Sequence, residues 1–219
     1  IMGKRFDLLV FDWDGTLHDS IGAIIFAMRA ACRDLGLPEP ADAQARQVIG
    51  LGLADALRHA APTLDPRRYP EMADCYRRHY LAGDGELCLF DGVMPLLKAL
   101  CTRGFTLAVA TGKSRRGLDR ALAASGAERF FAASRCADEC FSKPHPQMLY
   151  ELMEAFDVPP ERTLMIGDTT HDLHMAANAS VESLAVSYGA HSSAQLREIR
   201  SLTQVSSVAE LSDWLLANA

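Results

Sequence analysis

Apolar residues in this chain gather into short runs that end on small or acidic residues. Residues 6–12 (FDLLVFD) form the first run, and Gly15 marks the turn that closes it. The run 105–110 (FTLAVA) stops before Thr111-Gly112, and 163–166 (TLMI) stops at Gly167-Asp168. A fourth covers 183–186, and weaker strand signals lie at 131–134 and near Val205. Between them, apolar residues recur at helical spacing over 93–103, 115–125, 145–156, 194–200 and 208–217. Continuous apolar strands alternating with amphipathic helices predict an α/β fold: a Rossmann-like parallel sheet with helices on both faces.

One stretch breaks the alternation. From about residue 20 to residue 90 the pattern is helical, over 21–35, 41–60 and 66–81, with no convincing strand. The middle helix is interrupted around Gly50 and Gly52. A βα loop is usually ~2–6 residues long, so this segment predicts a small all-helical cap inserted after the first strand. The expected division is 1–18 and 88–219 for the α/β core and 19–87 for the cap, with Gly83, Gly85 and Gly92 as candidate hinge positions.

Ligands of open parallel sheets bind beyond the carboxyl ends of the strands. Strand one delivers Asp12 and Asp14 there, strand two Thr111, Gly112 and Lys113, and strand three Asp168 and Asp172. Lys143 lies in a loop beside them. Clustered carboxylates repel one another unless a cation joins them, and hard oxygen donors suit Mg²⁺. A metal with a lysine neutralises phosphoryl oxygens that would repel an anionic nucleophile. The set therefore suits phosphoryl transfer.

Composition narrows the partners. The 219 residues are 49% hydrophobic and 23% charged, ordinary for a globular chain, and the net charge is −6. A mildly acidic surface argues against non-specific nucleic-acid binding and against an anionic membrane surface. No apolar run approaches the ~20 residues of a membrane helix, and the N-terminal run, broken by Asp7, Asp12 and Asp14, does not read as a signal peptide. A cytoplasmic monomer or homodimer is the expectation, with six free core cysteines. Only four basic residues are lysines, which makes Lys113 and Lys143 stand out. Lys113 reads evenly as a site residue or as a charged helix start. Of the seven histidines, His18, His59, His79, His145, His174 and His191 show no ligand constellation and read as surface or helix-face residues.

Four motifs now carry a resemblance. Asp12-Trp13-Asp14-Gly15-Thr16-Leu17 resembles the first motif of the haloacid-dehalogenase superfamily. Ala110-Thr111-Gly112-Lys113 resembles the second, Lys143-Pro144 the third, and Gly167-Asp168-Thr169-Thr170-His171-Asp172 the fourth. They come in order, at strand ends, across nearly the whole chain. The helical insertion resembles the cap of the phosphoglycolate-phosphatase-like branch.

The resemblance implies an Mg²⁺-dependent phosphatase acting on a small phosphorylated metabolite. Asp12 would be the nucleophile and form an aspartyl-phosphate. Asp14 would protonate the leaving oxygen and then activate water; alone, it would read as a turn residue. Asp12, the backbone carbonyl of Asp14, and Asp168 would hold the metal, with Asp172 supporting that site. Thr111, Gly112, Lys113 and Lys143 would receive the phosphoryl group. Trp13 and Ser180 depart from the usual Phe and Gly. A sugar phosphomutase shares all four motifs, and a non-catalytic binding module on this scaffold is the alternative outside enzymes. A phosphonatase would need a cap lysine, and no lysine lies between Lys4 and Lys98. Gly50-Leu51-Gly52 mimics a dinucleotide loop but lacks the surrounding βαβ unit, so it reads as a turn within the cap, facing the substrate.

Overall fold

The computed structural model describes residues 4–83 and 88–219. Among them, β1 (Leu8–Phe11), β2 (Thr106–Thr111), β3 (Ala133–Cys136), β4 (Thr163–Gly167), β5 (Glu182–Val186) and β6 (Gln204–Val205) form one parallel sheet in the order β3-β2-β1-β4-β5-β6. The period-2 geometry of a strand divides each apolar run between the two faces. Leu9 and Phe11 of β1 pack on one side with α5 (Val93–Thr102), α6 (Arg115–Ser125) and α10 (Val208–Asn218). Leu8 and Val10 pack on the other with α7 (Gln147–Phe156) and α8 (Thr170–Asn178). Burial on both faces explains why β1 reads as unbroken rather than alternating. A short α9 (Ser193–Arg197) lies near the far edge.

The order of the strands reverses at β1, between β2 and β4, the switch point where open α/β sheets place their ligands. Phe11 is in register with both Val109 and Ile166. Asp12, one residue on, thus emerges between the ends of β2 and β4, anchored by its N–H to the Ile166 carbonyl at 2.9 Å.

The insertion between β1 and α5 holds α1 (Ile21–Asp34), α2 (Asp42–Gln47), α3 (Leu53–Ala60) and α4 (Tyr69–Gly83). These bury their own cores, one around Ile24, Met28 and Tyr80, another around Cys32, Leu57 and Met72. The two chain crossings into the insertion run side by side. The Asp19 N–H donates to the Cys88 carbonyl and the Phe90 N–H to the Leu17 carbonyl, both at 3.0 Å. Of the expected hinge glycines, Gly83 ends α4 and Gly92 precedes α5 with φ of 90°; Gly85 lies outside the described residues. Among the described residues no helix is long and apolar enough to cross a membrane.

Several expectations need correction. The third strand sits two residues later than its apolar signal, because Phe130 and Phe131 pack sideways onto the core after a 3-10 turn at Glu128–Phe130. The helix expected from 145 starts at Gln147, after Pro146. Cys88 and Cys101 are exposed rather than core thiols. His18 and His191 are buried, not surface residues. Ser180, where glycine is usual, adopts a left-handed φ of 59°, which a side chain tolerates at a cost of about 1 kcal/mol.

Candidate active site

Asp12 and Lys143 are almost wholly enclosed, with side-chain exposures of 1% and 0%. The Lys143 ammonium bridges two carboxylates, 2.8 Å from Asp12 Oδ1 and 2.7 Å from Asp172 Oδ1. Burial works against that ammonium, but the Asp12 and Asp172 charges outweigh it and hold its pKa above the ordinary lysine value. The other oxygen of Asp172 accepts from the Thr169 N–H at 3.0 Å and from Thr169 Oγ1 at 2.7 Å. Thr169 and Asp172 form a capping box that starts α8.

The four-residue spacing of Asp168 and Asp172 predicts that both share one helical face, and that box corrects the expectation. Asp168 and Asp172 are not neighbours on one helical face, because Asp168 precedes the cap residue Thr169 and lies in the loop after β4. Its carboxylate is fixed separately. Thr16 Oγ1 donates to Oδ1 at 2.8 Å and the Ala190 N–H to Oδ2 at 2.7 Å. Backbone must come very close here: a Cβ on Gly189 would lie 2.2 Å from Asp168 Oδ2, and one on Gly15 would lie 2.3 Å from it.

Asp12, Asp168 and Asp172 each offer a carboxylate oxygen within 4.8 Å of the others. Burial pushes Asp12 well above the usual carboxylate range, and the Asp172 and Asp168 charges push the same way against Lys143. Asp168 is pushed up to about 7, first by burial and then by Asp172. Asp12 Oδ2 is buried with no hydrogen-bond partner, an expensive state for a carboxylate oxygen. Hard oxygen donors, excess negative charge and an orphaned oxygen together fit a small divalent cation. The Asp14 side chain lies outside this cluster, so its share in a metal site would come through its backbone carbonyl.

The Asp14 carboxylate faces other partners. Its Oδ1 accepts from Ser20 Oγ at 2.5 Å, with Lys113 Nζ at 3.1 Å and His18 Nδ1 at 3.9 Å. Lys113 therefore stands beside Asp14 rather than with Lys143. Thr111 is fully buried, and its Oγ1 accepts the Lys113 N–H at 3.1 Å. The sequence reading missed Ser20, Thr16 and Thr169. Only Thr169 carried a local signal, the hydroxyl-x-x-carboxylate spacing of a capping box.

The turn at 50–52 closes over this edge. A Cβ on Gly112 would lie 2.4 Å from the Leu51 carbonyl oxygen and 2.6 Å from that of Gly50. The Gly52 N–H donates to Ser142 Oγ at 2.9 Å, and His171 Nε2 meets the Gln47 carbonyl at 2.9 Å. Gly112→Ala should therefore lift the turn. Its kcat/KM is expected to fall about 10²-fold, the penalty typical of an ~1 Å misplacement, and its thermal midpoint to fall with it, because the clash is with backbone. Wild-type kinetics would show that the turn need not dock for turnover.

The model of one family, described as haloacid dehalogenase-like hydrolase, matches residues 9–186. A phosphoglycolate phosphatase of Vibrio vulnificus is 31% identical over 226 residues, covering 99% of each chain. Pyrophosphatase PpaX of Halalkalibacterium halodurans is 32% identical over 182 residues, covering 82% of this chain and 83% of its own. The crystal structure of a hydrolase from Pseudomonas syringae superposes with a TM-score of 0.87, at 19% identity, covering 97% of this chain and 98% of that one.

Proposed function

This chain belongs to the haloacid dehalogenase-like hydrolase family and is a phosphatase, and from that premise we propose that it hydrolyses a small phosphomonoester through an aspartyl-phosphate on Asp12, with Mg²⁺ as cofactor. The observation that carries this reading is the buried group of Asp12, Asp168, Asp172 and Lys143 at the sheet's switch point. We assign 1–18 and 88–219 to the catalytic core and 19–87 to the cap.

In this reading the Asp12 carboxylate attacks phosphorus as the ester P–O bond breaks. Asp14 delivers a proton to the departing oxygen, leaving a free alcohol. Asp14 then takes a proton from water as that water attacks the acyl phosphate, and inorganic phosphate leaves with Asp12 restored. Lys143 and Thr111 hold phosphoryl oxygens. Asp172 keeps Lys143 in place, since its Oδ1 is the second partner of that ammonium. A Mg²⁺ held by Asp12, the Asp14 carbonyl and Asp168 would supply the positive charge that lets one anion approach another.

The relatives' names differ in substrate, one a phosphoglycolate phosphatase and one a pyrophosphatase. The test is a screen of phosphorylated metabolites that includes 2-phosphoglycolate and pyrophosphate, with and without Mg²⁺. Metal-dependent release of inorganic phosphate from one small monoester is expected. Phosphoryl return to a sugar without net phosphate release would favour a mutase, and no turnover of any ester would defeat the proposal.

A further inference from the structure

The side chains that hold Asp14 lead directly into the cap. Ser20, which donates to Asp14 Oδ1, is the residue that opens α1. Lys113, on the same oxygen, also donates to the Tyr80 hydroxyl at 3.0 Å. Tyr80 belongs to α4, at the far end of the insertion from Ser20. Its ring lies under the same ammonium, 4.7 Å from Nζ to the centroid, and stacks on Tyr76 at 6.0 Å and 18°. The phenol is buried. A lysine side chain is a point charge on a flexible four-carbon stem, so its partners decide where it stands. Here they are one catalytic carboxylate of the core and one tyrosine of the cap.

We propose that Tyr80 is a positioning residue for proton transfer: through Lys113, it makes delivery of the Asp14 proton depend on a closed cap. The inference rests on the reading of Asp14 as acid and base. With the cap docked, the Tyr80 oxygen and ring fix the ammonium beside Asp14 Oδ1, and the ammonium with Ser20 fixes the carboxyl group. When α4 moves away, Lys113 loses both its oxygen acceptor and its aromatic face, and the carboxyl group is free to turn. An ester bound under an open cap then meets a nucleophile without a well-placed acid. Premature reaction with solvent access is thereby suppressed, because an alcohol leaves poorly as its alkoxide.

Tyr80→Phe isolates the effect. It keeps the ring, the stack on Tyr76 and the cation–π contact, and removes one oxygen. Phenyl phosphate and p-nitrophenyl phosphate have nearly the same shape, but the nitrophenolate leaves without a proton. The kcat/KM ratio covers only the steps up to departure of the leaving group, so the later hydrolysis of the aspartyl-phosphate does not enter. Tyr80→Phe is expected to lower kcat/KM by about 10-fold or more for phenyl phosphate and by less than about 3-fold for p-nitrophenyl phosphate, a share of the usual contribution of a positioned acid. The double variant Tyr80→Phe/Lys113→Met should be no slower than Lys113→Met alone, since both act through one chain of contacts. Equal losses on the two esters, or additive losses in the double variant, would assign Tyr80 to cap packing and overturn the inference while the phosphatase reading stood. A wild-type protein that released phosphate from no ester at all would remove the phosphatase reading, and this inference with it.

Discussion

Asp12→Asn should leave a folded protein that has lost almost all turnover. The amide occupies the volume of the carboxylate, so the apolar packing of Phe11 and the hydrogen bond from the Asp12 N–H to Ile166 are untouched. What disappears is the attacking charge, because an amide oxygen is a poor nucleophile and a poorer hard-metal donor. The expected fall in kcat is on the order of 10⁴-fold or more, the scale seen when a covalent nucleophile is removed. The buried electrostatics argue that the fold survives. Asp12 Oδ2 has no partner, and the carboxyl is pushed well above its ordinary range, so an uncharged group there relieves a strained site. Lys143 keeps Asp172 at 2.7 Å. Circular dichroism should report a wild-type melting curve, and acid-quenched wild type, but not the variant, should carry the mass of one phosphoryl group. Near-wild-type hydrolysis by Asp12→Asn would exclude attack by this carboxylate.

The α/β sheet was legible because its strands are buried on both faces and end abruptly. Leu8 to Phe11 offer no polar position, and the chain then turns acidic at once. Parallel order follows from the helices between strands, and parallel strands bring their carboxyl ends to one edge. Asp12, Thr111 and Asp168 are therefore gathered by topology, and sequence position alone could announce their proximity. The strands that blurred are those with weaker burial: in β3 only Cys136 is fully buried.

Contacts between side chains distant in sequence were not legible. Thr16 reaches Asp168 across 152 positions, and Lys113 reaches Tyr80 across 33. Neither pair has a local signature, since a threonine in a turn and a tyrosine on a helix are common in any protein. Lys113 read evenly as a site residue or a helix start, because its meaning depends on Asp14 and Tyr80, which lie on two other elements. His191 read as a surface residue because nothing near it is apolar enough to mark burial. Yet its ring Nδ1 accepts the Thr170 N–H at 3.0 Å, and its backbone N–H donates to the Asp168 carbonyl at 3.3 Å. Periodicity finds elements, while a site made where elements meet needs the third dimension.

Chelation should silence the enzyme, and Mg²⁺ should restore it. Three carboxylates, Asp12, Asp168 and Asp172, share one small buried space with one ammonium, Lys143. Fully ionised, the four groups would leave two negative charges, and a phosphoryl group would bring more. Burial pushes the pKa of Asp12 and Asp168 upward, and the neighbouring carboxylates push the same way. A divalent cation held by Asp12 and Asp168 would offset that repulsion and would supply several kcal/mol of stabilisation as charge gathers on the phosphoryl oxygens, on the order of 10³-fold in rate. Activity should therefore drop by at least about that factor in EDTA and recover in excess Mg²⁺. The melting temperature should rise with Mg²⁺ concentration, because an ion that binds only the folded chain stabilises it by mass action. Ca²⁺ should raise the melting temperature too but restore little turnover, since its larger and looser coordination sphere accepts geometries in which Asp12 is misaligned for attack. Full activity in chelator would exclude a metal from the mechanism. A melting temperature indifferent to Mg²⁺ would show that the carboxylates balance their charge without it.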